Sequence, residues 1–202
     1  NVPFVCCSYS NRYGTLIEGE YSSVSIADGD TAQQAVEELY RHGHRRIAAL
    51  ISRPNDQSIS QLRYEGYVQA LESHGIPVDP ELVISTGGFV AKDAYRAVQE
   101  KMAENVDFTA LFAIADSMAI GAMRALMDAG RRIPEDCSVI AIDGLELSAY
   151  IEPPLTTLCQ PMEEMGRRSA EILLDMVRHK GSHACELLPT TLRQGRSVAA
   201  PR

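Results

Sequence analysis

The fold of this chain is decided by residues 110–143, which read ALFAIADSMAIGAMRALMDAGRRIPEDCSVIAID. The apolar run Ala110–Ile114 predicts a buried strand, and apolar residues then recur at helical spacing through Ser117–Ala129. Gly130 follows where a helix end favours glycine, and Ser138–Ile142 is a second apolar run. A strand, a helix and a strand within about 35 residues predict parallel strands joined by a right-handed crossover.

The same alternation of strand and helix extends through most of the chain. Short apolar runs predict strands at Phe4–Ser8, Ile47–Ile51, Leu82–Ser85, Ala110–Ile114 and Ser138–Ile142. Apolar residues at helical spacing predict four helices between these strands. The side of each helix that faces the core includes one of Leu39, Tyr67, Val98 and Leu126. The sequence therefore predicts an α/β fold with doubly wound parallel sheets.

Composition limits the possible classes of protein. The chain has 202 residues, and 19 Lys and Arg against 27 Asp and Glu give a net charge of −8. This length fits one or two globular domains, and the hydrophobic share of 45% excludes a disordered chain. The acidic balance argues against autonomous nucleic-acid binding, which needs clustered basic residues. Because no apolar run approaches about 18 residues, we expect no transmembrane helix.

The cysteines and the first residues bear on compartment and completeness. Five cysteines, two of them adjacent at Cys6 and Cys7, do not resemble a disulfide framework and favour a reducing cytoplasm. The chain opens at Asn1 with a segment that reads as an internal strand. We therefore expect a fragment or a processed product of a longer protein.

In doubly wound sheets, ligands bind outside the carboxyl ends of the strands, where the strand order reverses. The predicted strands deliver Asp116, Asp143 and the segment Thr86–Phe89 to that edge, and Arg63 follows early in a helix. Carboxylates and a guanidinium can bind hydroxyl groups, and an aromatic face can cover the apolar side of a ring. The sequence thus predicts a site for a polar ring-shaped ligand.

Five segments in order resemble the lactose/galactose-repressor family of bacterial transcription regulators. They are Gly43–Ala48 (GHRRIA), Arg63–Tyr67 (RYEGY), Ala113–Gly121 (AIADSMAIG), Ile133–Ile140 (IPEDCSVI) running to Asp143, and Pro153–Thr157 (PPLTT) followed by Gln160 and Pro161. The resemblance implies the type I periplasmic-binding-protein-like architecture. Two α/β lobes enclose an effector behind an N-terminal helix-turn-helix region that binds DNA.

Measured against that family, the chain is truncated at its N-terminal side. The resemblance assigns residues 1–28 and 158–185 to a remnant of the N-terminal lobe, and residues 29–157 and 186–202 to the C-terminal lobe. Apolar positions between Met162 and Met176 form an amphipathic helix whose partners would mostly lie in the missing part.

The resemblance also implies a set of ligand-binding residues. They are Arg63, Phe89, Asp116, Asp143, Ser8, Tyr9 and Gln160. Arg63 matches an arginine of the family whose guanidinium binds two ligand oxygens at once. Asp143 matches a carboxylate that faces the ligand, and Phe89 matches an aromatic residue that stacks on the ligand.

Each of these roles has a plain structural alternative. Arg63 could be a surface arginine in the first turn of a helix, and Asp143 a loop residue turning with Gly144. Phe89 could simply pack in the core, and Asp116 could cap the helix that it begins, alone or together with a ligand role.

Several positions depart from the family pattern. Ala115 stands where the family usually has asparagine, and Ser8 stands where it has aspartate at the end of the opening strand. Ala141 replaces a glycine, and Gly195 replaces an arginine, with Arg196 beside it. Two of the groups that usually bind sugar hydroxyls are thus changed, so the resemblance implies no specific sugar.

No catalytic, cofactor or metal motif is recognised. His42 and His44 flank a helix end beside two arginines, and the segment His179–Cys185 lacks a closed set of metal ligands. The chain has no nucleophile elbow, phosphate-binding P-loop or dinucleotide-binding motif. Cys7 has no indicated histidine partner. We therefore expect neither a cofactor nor a bound metal.

Three hypotheses for the function follow. The preferred one is a non-enzymatic effector-binding and dimerisation module of a cytoplasmic transcription regulator, binding a sugar or another small polar metabolite. It would form a homodimer, reach operator DNA only through its missing N-terminal region, and have no membrane partner. The second is a periplasmic sugar-binding protein of a transport system, and the third an enzyme using Asp116 and Asp143.

Overall fold

A computed structural model describes residues 2–8, 21–53, 59–179 and 183–202 of the chain. The strands are β1 Val5–Cys7, β2 Ser22–Ile26, β3 Ile47–Ile51, β4 Val83–Ser85, β5 Ala110–Ala113, β6 Ser138–Asp143, β7 Thr156–Cys159, β8 Cys185–Leu188 and β9 Thr191–Arg193. The helices are α1 Asp28–Arg41, α2 Ile59–Ser73, α3 Ala91–Ala103, α4 Asp116–Asp128 and α5 Met162–His179.

The larger sheet has the strand order β4-β3-β5-β6-β7-β9. Its first five strands are parallel, and β9 runs antiparallel to β7 at the edge. The chain passes from β3 outward to β4 and then back across β3 to β5, so the order reverses between β3 and β5. Right-handed crossovers then place α2 on one face and α3 and α4 on the other. The predicted α/β fold with doubly wound parallel sheets is confirmed.

The five predicted strands all form, and four further strands lie outside those predictions. The four are β2, β7, β8 and β9, which are short or rich in serine and threonine. Ser22–Ile26 reads SSVSI, yet every residue in it is buried, because β2 is the central strand of the smaller sheet. Periodicity alone does not identify a buried strand whose side chains are half polar.

The smaller sheet, in the order β1-β2-β8, is entirely parallel and packs against α5. Met165 and Ile172 of α5 are buried, whereas Leu174 and Val177 on the same helix are 49% and 62% exposed. Helix α5 has 18 residues but carries several charges. Nowhere in the described ranges is a helix both long and apolar enough to cross a membrane.

In the described ranges, the chain passes between the two sheets three times. The passages lie between β2 and α1, between β7 and α5, and between β8 and β9. Hydrogen-bond register keeps β7 in the larger sheet as far as Cys159, and β8 in the smaller sheet as far as Leu188. The division into two lobes with boundaries at 157/158 and 185/186 stays a prediction.

A buried histidine ties the last residues of the chain to the larger sheet. His44 is 1% exposed; its Nε2 lies 2.8 Å from the Ala199 carbonyl oxygen and its Nδ1 lies 2.9 Å from the Thr109 hydroxyl. Because a carbonyl oxygen only accepts, Nε2 carries the proton and Nδ1 accepts from Thr109. Burial lowers the pKa of His44 below its ordinary value of 6.5, so the folded chain holds the neutral ring.

This arrangement predicts a specific loss of stability in acid. Below about pH 6.5 the unfolded chain takes up a proton at His44 that the folded chain resists, so the free energy of unfolding falls as pH falls. The contribution reaches at most about 1.4 kcal/mol per pH unit. We expect His44→Asn, measured by urea unfolding between pH 7.5 and 5.5, to lose less stability over this range than the unsubstituted chain. Exposed His183→Asn is the control, and an unchanged slope in His44→Asn would contradict the assignment.

Candidate functional site

The guanidinium of Arg63 lies at the point where the strand order reverses. Its Nε donates a hydrogen bond to Asp28 Oδ1 over 2.8 Å, and its Nη1 donates to Asp143 Oδ1 over 3.1 Å. Nη1 also donates to the carbonyl oxygen of Ile114, just beyond β5. The side chain is 3% exposed, so the alternative of a surface arginine is wrong.

A close approach of two helices brings Arg63 to Asp28. A Cβ atom added at Gly66 of α2 would lie only 2.1 Å from the carbonyl oxygen of Gly29 in α1. Only glycine allows this contact. Gly66 is three residues after Arg63 and Gly29 directly follows Asp28, so the contact sets the distance between guanidinium and carboxylate.

Asp28 belongs to the site, but the sequence analysis does not identify it. It is the first residue of α1, two positions after β2 ends, and it is 5% exposed. Burial raises the pKa of its carboxyl group, while the adjacent Arg63 acts in the opposite direction. The rule of strand carboxyl ends would find Asp28 once β2 is recognised as a strand.

Asp143 is linked to residues that lie between the two sheets. Gln160 Nε2 donates to Asp143 Oδ1 over 2.7 Å, and its backbone N–H donates to the Asp143 carbonyl oxygen over 3.1 Å. Ser8, directly after β1, donates through its hydroxyl to Gln160 Oε1 over 3.5 Å. The structure thus brings together Arg63, Asp143, Gln160 and Ser8. Tyr9 lies outside the described residues.

The backbone at this edge of the sheet adopts conformations that residues other than glycine rarely take. Asp143 has φ 133° and Ser8 has φ 55°. Gly144 has φ 76°, and a Cβ added there would lie 2.5 Å from Cys159 Sγ. Positive φ at residues other than glycine costs of order 1–3 kcal/mol and concentrates at functional sites. Asp143 is the last residue of β6, and at this point of positive φ its carboxylate contacts Arg63.

Asp116 is hydrogen-bonded to the loop that follows Asp143. Its carboxylate accepts hydrogen bonds from the Leu145 N–H, the Ser148 hydroxyl and the Thr157 hydroxyl at 2.8, 2.6 and 2.5 Å. The side chain is fully buried, and burial raises its pKa while these hydrogen bonds oppose the shift. These hydrogen bonds hold the loop that follows Asp143, and the expected contact of Asp116 with a ligand stays a prediction. The capping alternative is wrong, because Ala115 is the N-cap and makes no side-chain capping hydrogen bond.

The same loop has a second support that the sequence analysis missed. Arg193 of β9 donates to the carbonyl oxygens of Gly144 and Leu145 at 3.4 and 3.0 Å. Its guanidinium also lies 3.9 Å from the Asp116 carboxylate. Asp116 and Arg193 together fix the loop that directly follows Asp143.

Phe89 lies between β4 and α3 and is 41% exposed, so core packing does not explain it. Its carbonyl oxygen accepts a hydrogen bond from the Ser117 hydroxyl over 2.7 Å. In the described ranges its ring stacks on no other ring. An exposed aromatic face at the carboxyl end of the sheet remains available to a ligand.

The site as a whole presents hydrogen-bond donors and acceptors, with one exposed aromatic ring nearby. Throughout the described parts of the chain, no three His, Cys, Asp or Glu side chains cluster as metal ligands would. The site residues Ser8, Asp28, Arg63, Asp143 and Gln160 include no histidine to activate a nucleophile. Their chemistry suits the binding of a polar molecule.

The chain is similar to a known domain family and to known transcription regulators. Residues 36–198 match the family described as periplasmic binding protein-like domain. The chain is 38% identical over 177 residues to the HTH-type transcriptional repressor CytR of Escherichia coli (strain K12), an alignment covering 85% of this chain and 51% of that protein. It is 35% identical over 190 residues to the HTH-type transcriptional regulator CelR of Thermobifida fusca, covering 94% and 54%. The chain thus spans about half the length of these curated relatives.

Solved structures agree with the family and the fold. A structure of the transcriptional regulator CelR–cellobiose complex is 34% identical, with a TM-score of 0.87, covering 97% of this chain and 59% of that one. A LacI family transcriptional regulator from Enterococcus faecium with bound ribose is 28% identical, with a TM-score of 0.85, covering 99% and 72%. The expected periplasmic-binding-protein-like fold is confirmed, and the chain belongs to the family of periplasmic-binding-protein-like domains, in the form found in lactose/galactose-repressor (LacI) regulators.

Proposed function

We propose that this chain is the effector-binding part of a cytoplasmic transcription regulator and that its effector is a sugar or a related small polar metabolite. Operator DNA would be bound by a region outside the 202 residues. The relatives named above are transcription regulators, which supports this proposal over a periplasmic transport protein or an enzyme. Cellobiose and ribose in two related structures support a sugar as effector.

The observation that carries the proposal is the hydrogen-bonding capacity left at Arg63 and Asp143. Within the described ranges Arg63 Nη2 donates to no residue, and Asp143 Oδ2 accepts from none. The two N–H groups of Nη2, on a side chain that is 3% exposed, and one oxygen of Asp143, which is 19% exposed, therefore remain for a ligand. A ligand hydroxyl can use both. We propose Arg63, Asp143, Gln160, Ser8 and Phe89 as contacts.

Tyr9 stays a proposal on the resemblance alone, and we assign Asp116 to positioning the loop after Asp143. We also retain the division of the chain into a remnant of an N-terminal lobe, built on β1, β2 and β8, and a C-terminal lobe built on the larger sheet.

We propose that effector binding at this site is coupled to the angle between the two sheets. Asp28 lies at the first passage of the chain between the sheets, and Gln160 lies at the second. Both are hydrogen-bonded to a proposed ligand contact, Arg63 or Asp143. An effector that binds one hinge state more tightly than the other shifts the balance between them. Such a shift would alter the spacing of two DNA-binding regions in a dimer.

The effector site can be tested with a substitution that keeps the charge. Arg63→Lys retains a cation between Asp28 and Asp143 but removes the Nη2 donor. In calorimetric titrations with a panel that includes cellobiose and ribose, we expect the binding constant of the sugar that binds to fall by about 10- to 100-fold. The reason is the lost hydrogen bond and the acceptor left unpaired on the sugar.

Arg124→Lys is the matched control, because Arg124 lies exposed on α4 and forms a salt bridge with Asp128. It should bind the same sugar as the unsubstituted chain does. Equal affinities of Arg63→Lys and Arg124→Lys would remove Arg63 from the site.

We further propose that the chain pairs with a second copy through an exposed apolar patch, defined as Val90, Leu147 and Tyr150. These side chains are 58%, 62% and 78% exposed. The patch flanks the first turn of α4, because Ser117 is bonded to Phe89 and Asp116 to Ser148. Clustered exposed apolar side chains are typical of protein interfaces.

Sedimentation equilibrium tests the pairing. We expect Leu147→Asp to weaken self-association by at least about tenfold, since it would bury a charge in the interface. Leu187→Asp, at a 67% exposed position on β8, serves as the control and should leave association unchanged. A monomeric unsubstituted chain, or a Leu147→Asp variant that pairs normally, would contradict the proposed interface.

A further inference from the structure

We infer that the site at Arg63 takes an effector that is uncharged and carries hydroxyl groups, and that it rejects phosphorylated or carboxylated molecules. The inference rests on the proposed function and narrows its class of ligand. It follows from the occupied edges of one guanidinium, the charge around it and the donors and acceptors that remain.

The two edges of the Arg63 guanidinium are already in use. An arginine clamps a phosphate or a carboxylate through two parallel N–H groups, either Nε with Nη2 or Nη1 with Nη2. In this site Nε is bonded to Asp28, and Nη1 is bonded to Asp143 and to the Ile114 carbonyl. Each edge therefore has one nitrogen taken, so the expected fork for two ligand oxygens is not available. Only Nη2, with its two N–H groups, is left.

The charge around the guanidinium also opposes an anion. Asp28 and Asp143 both contact Arg63, so the group of three carries a net charge of −1 when all are ionised. Arg63 and Asp28 are 3% and 5% exposed, and Asp143 is 19% exposed, so solvent screens this charge weakly. A ligand that reaches Nη2 must approach the Asp143 carboxylate as well.

Among the described residues, two further arginines lie near this edge of the sheet, and neither compensates the carboxylates. Arg53 is exposed, and its Nε donates to the Gly87 carbonyl oxygen over 2.8 Å, beyond the end of β4. Arg193 is committed to the loop after Asp143 through Leu145 and the carboxylate of Asp116. Neither is hydrogen-bonded to the Arg63 group.

The remaining hydrogen-bonding groups match a hydroxyl. Nη2 of Arg63 can donate, and Oδ2 of Asp143 can accept. A hydroxyl group both accepts and donates, so it can satisfy the two together. Fully ionised phosphate and carboxylate groups offer acceptors only, and would leave Asp143 facing another negative oxygen. Sugars and nucleosides without phosphate fit, whereas sugar phosphates and nucleotides do not.

The test uses inorganic phosphate as the probe and measures the thermal unfolding of the full chain at constant ionic strength. Asp143→Asn keeps the size of the side chain and an oxygen that accepts from Arg63 and Gln160, while it removes one negative charge. We expect phosphate to raise the Tm of Asp143→Asn in a concentration-dependent manner, with an apparent affinity about tenfold or more above that of the unsubstituted chain.

Asp175→Asn, an exposed position on α5 with the same change of charge, is the control and should respond as the unsubstituted chain does. The inference is overturned if the unsubstituted chain binds phosphate as tightly as Asp143→Asn does, or if Asp143→Asn gains no affinity over the control. Circular dichroism checks folding; if Asp143→Asn is unfolded, Asp28→Asn is judged by the same criterion. Because no sugar is used, a failure of this test is distinct from a failure of the proposed function.

Discussion

The site depends on one guanidinium held between two carboxylates. Arg63 contacts Asp28 and Asp143, and these three residues come from α2, α1 and the end of β6. A buried charge that loses a partner typically costs about 3–5 kcal/mol, so each member of the group holds the other two in place. The group therefore joins the positions of three elements at the point where the strand order reverses.

The surrounding structure preserves the geometry of this group. Gly66 lets α2 approach α1 closely enough for Arg63 to reach Asp28. Asp116, fully buried, and Arg193 hold the loop that follows Asp143. Buried hydrogen bonds hold a ligand-binding side chain in the same position with and without the ligand. Less conformational entropy is therefore lost when the ligand binds.

The fold is predictable from the sequence wherever a buried strand is also a continuous apolar run and wherever a helix end is followed by glycine. Strands β3, β5 and β6 are continuous apolar runs, and glycine follows α1, α2 and α4 where a helix ends. β2 was missed because a central strand of the smaller sheet reads SSVSI, and Asp28 was missed with it. Whether Asp116 faces a ligand depends on Leu145, Ser148 and Thr157, which are distant in sequence. The occupied edges of Arg63 are likewise a tertiary property that no sequence pattern displays.

The most direct test of the Arg63 group is nitrogen-15 NMR of the arginine side chains, with the Arg63 signal assigned by its loss in Arg63→Lys. The Nε–H of Arg63 donates to a buried carboxylate, so its proton should exchange with water at least about tenfold more slowly than that of Arg41, which is 69% exposed. Slow exchange that is lost in Asp28→Ala, which removes the accepting oxygen, is the result we predict. An Arg63 proton that exchanges as fast as that of Arg41 would contradict the account.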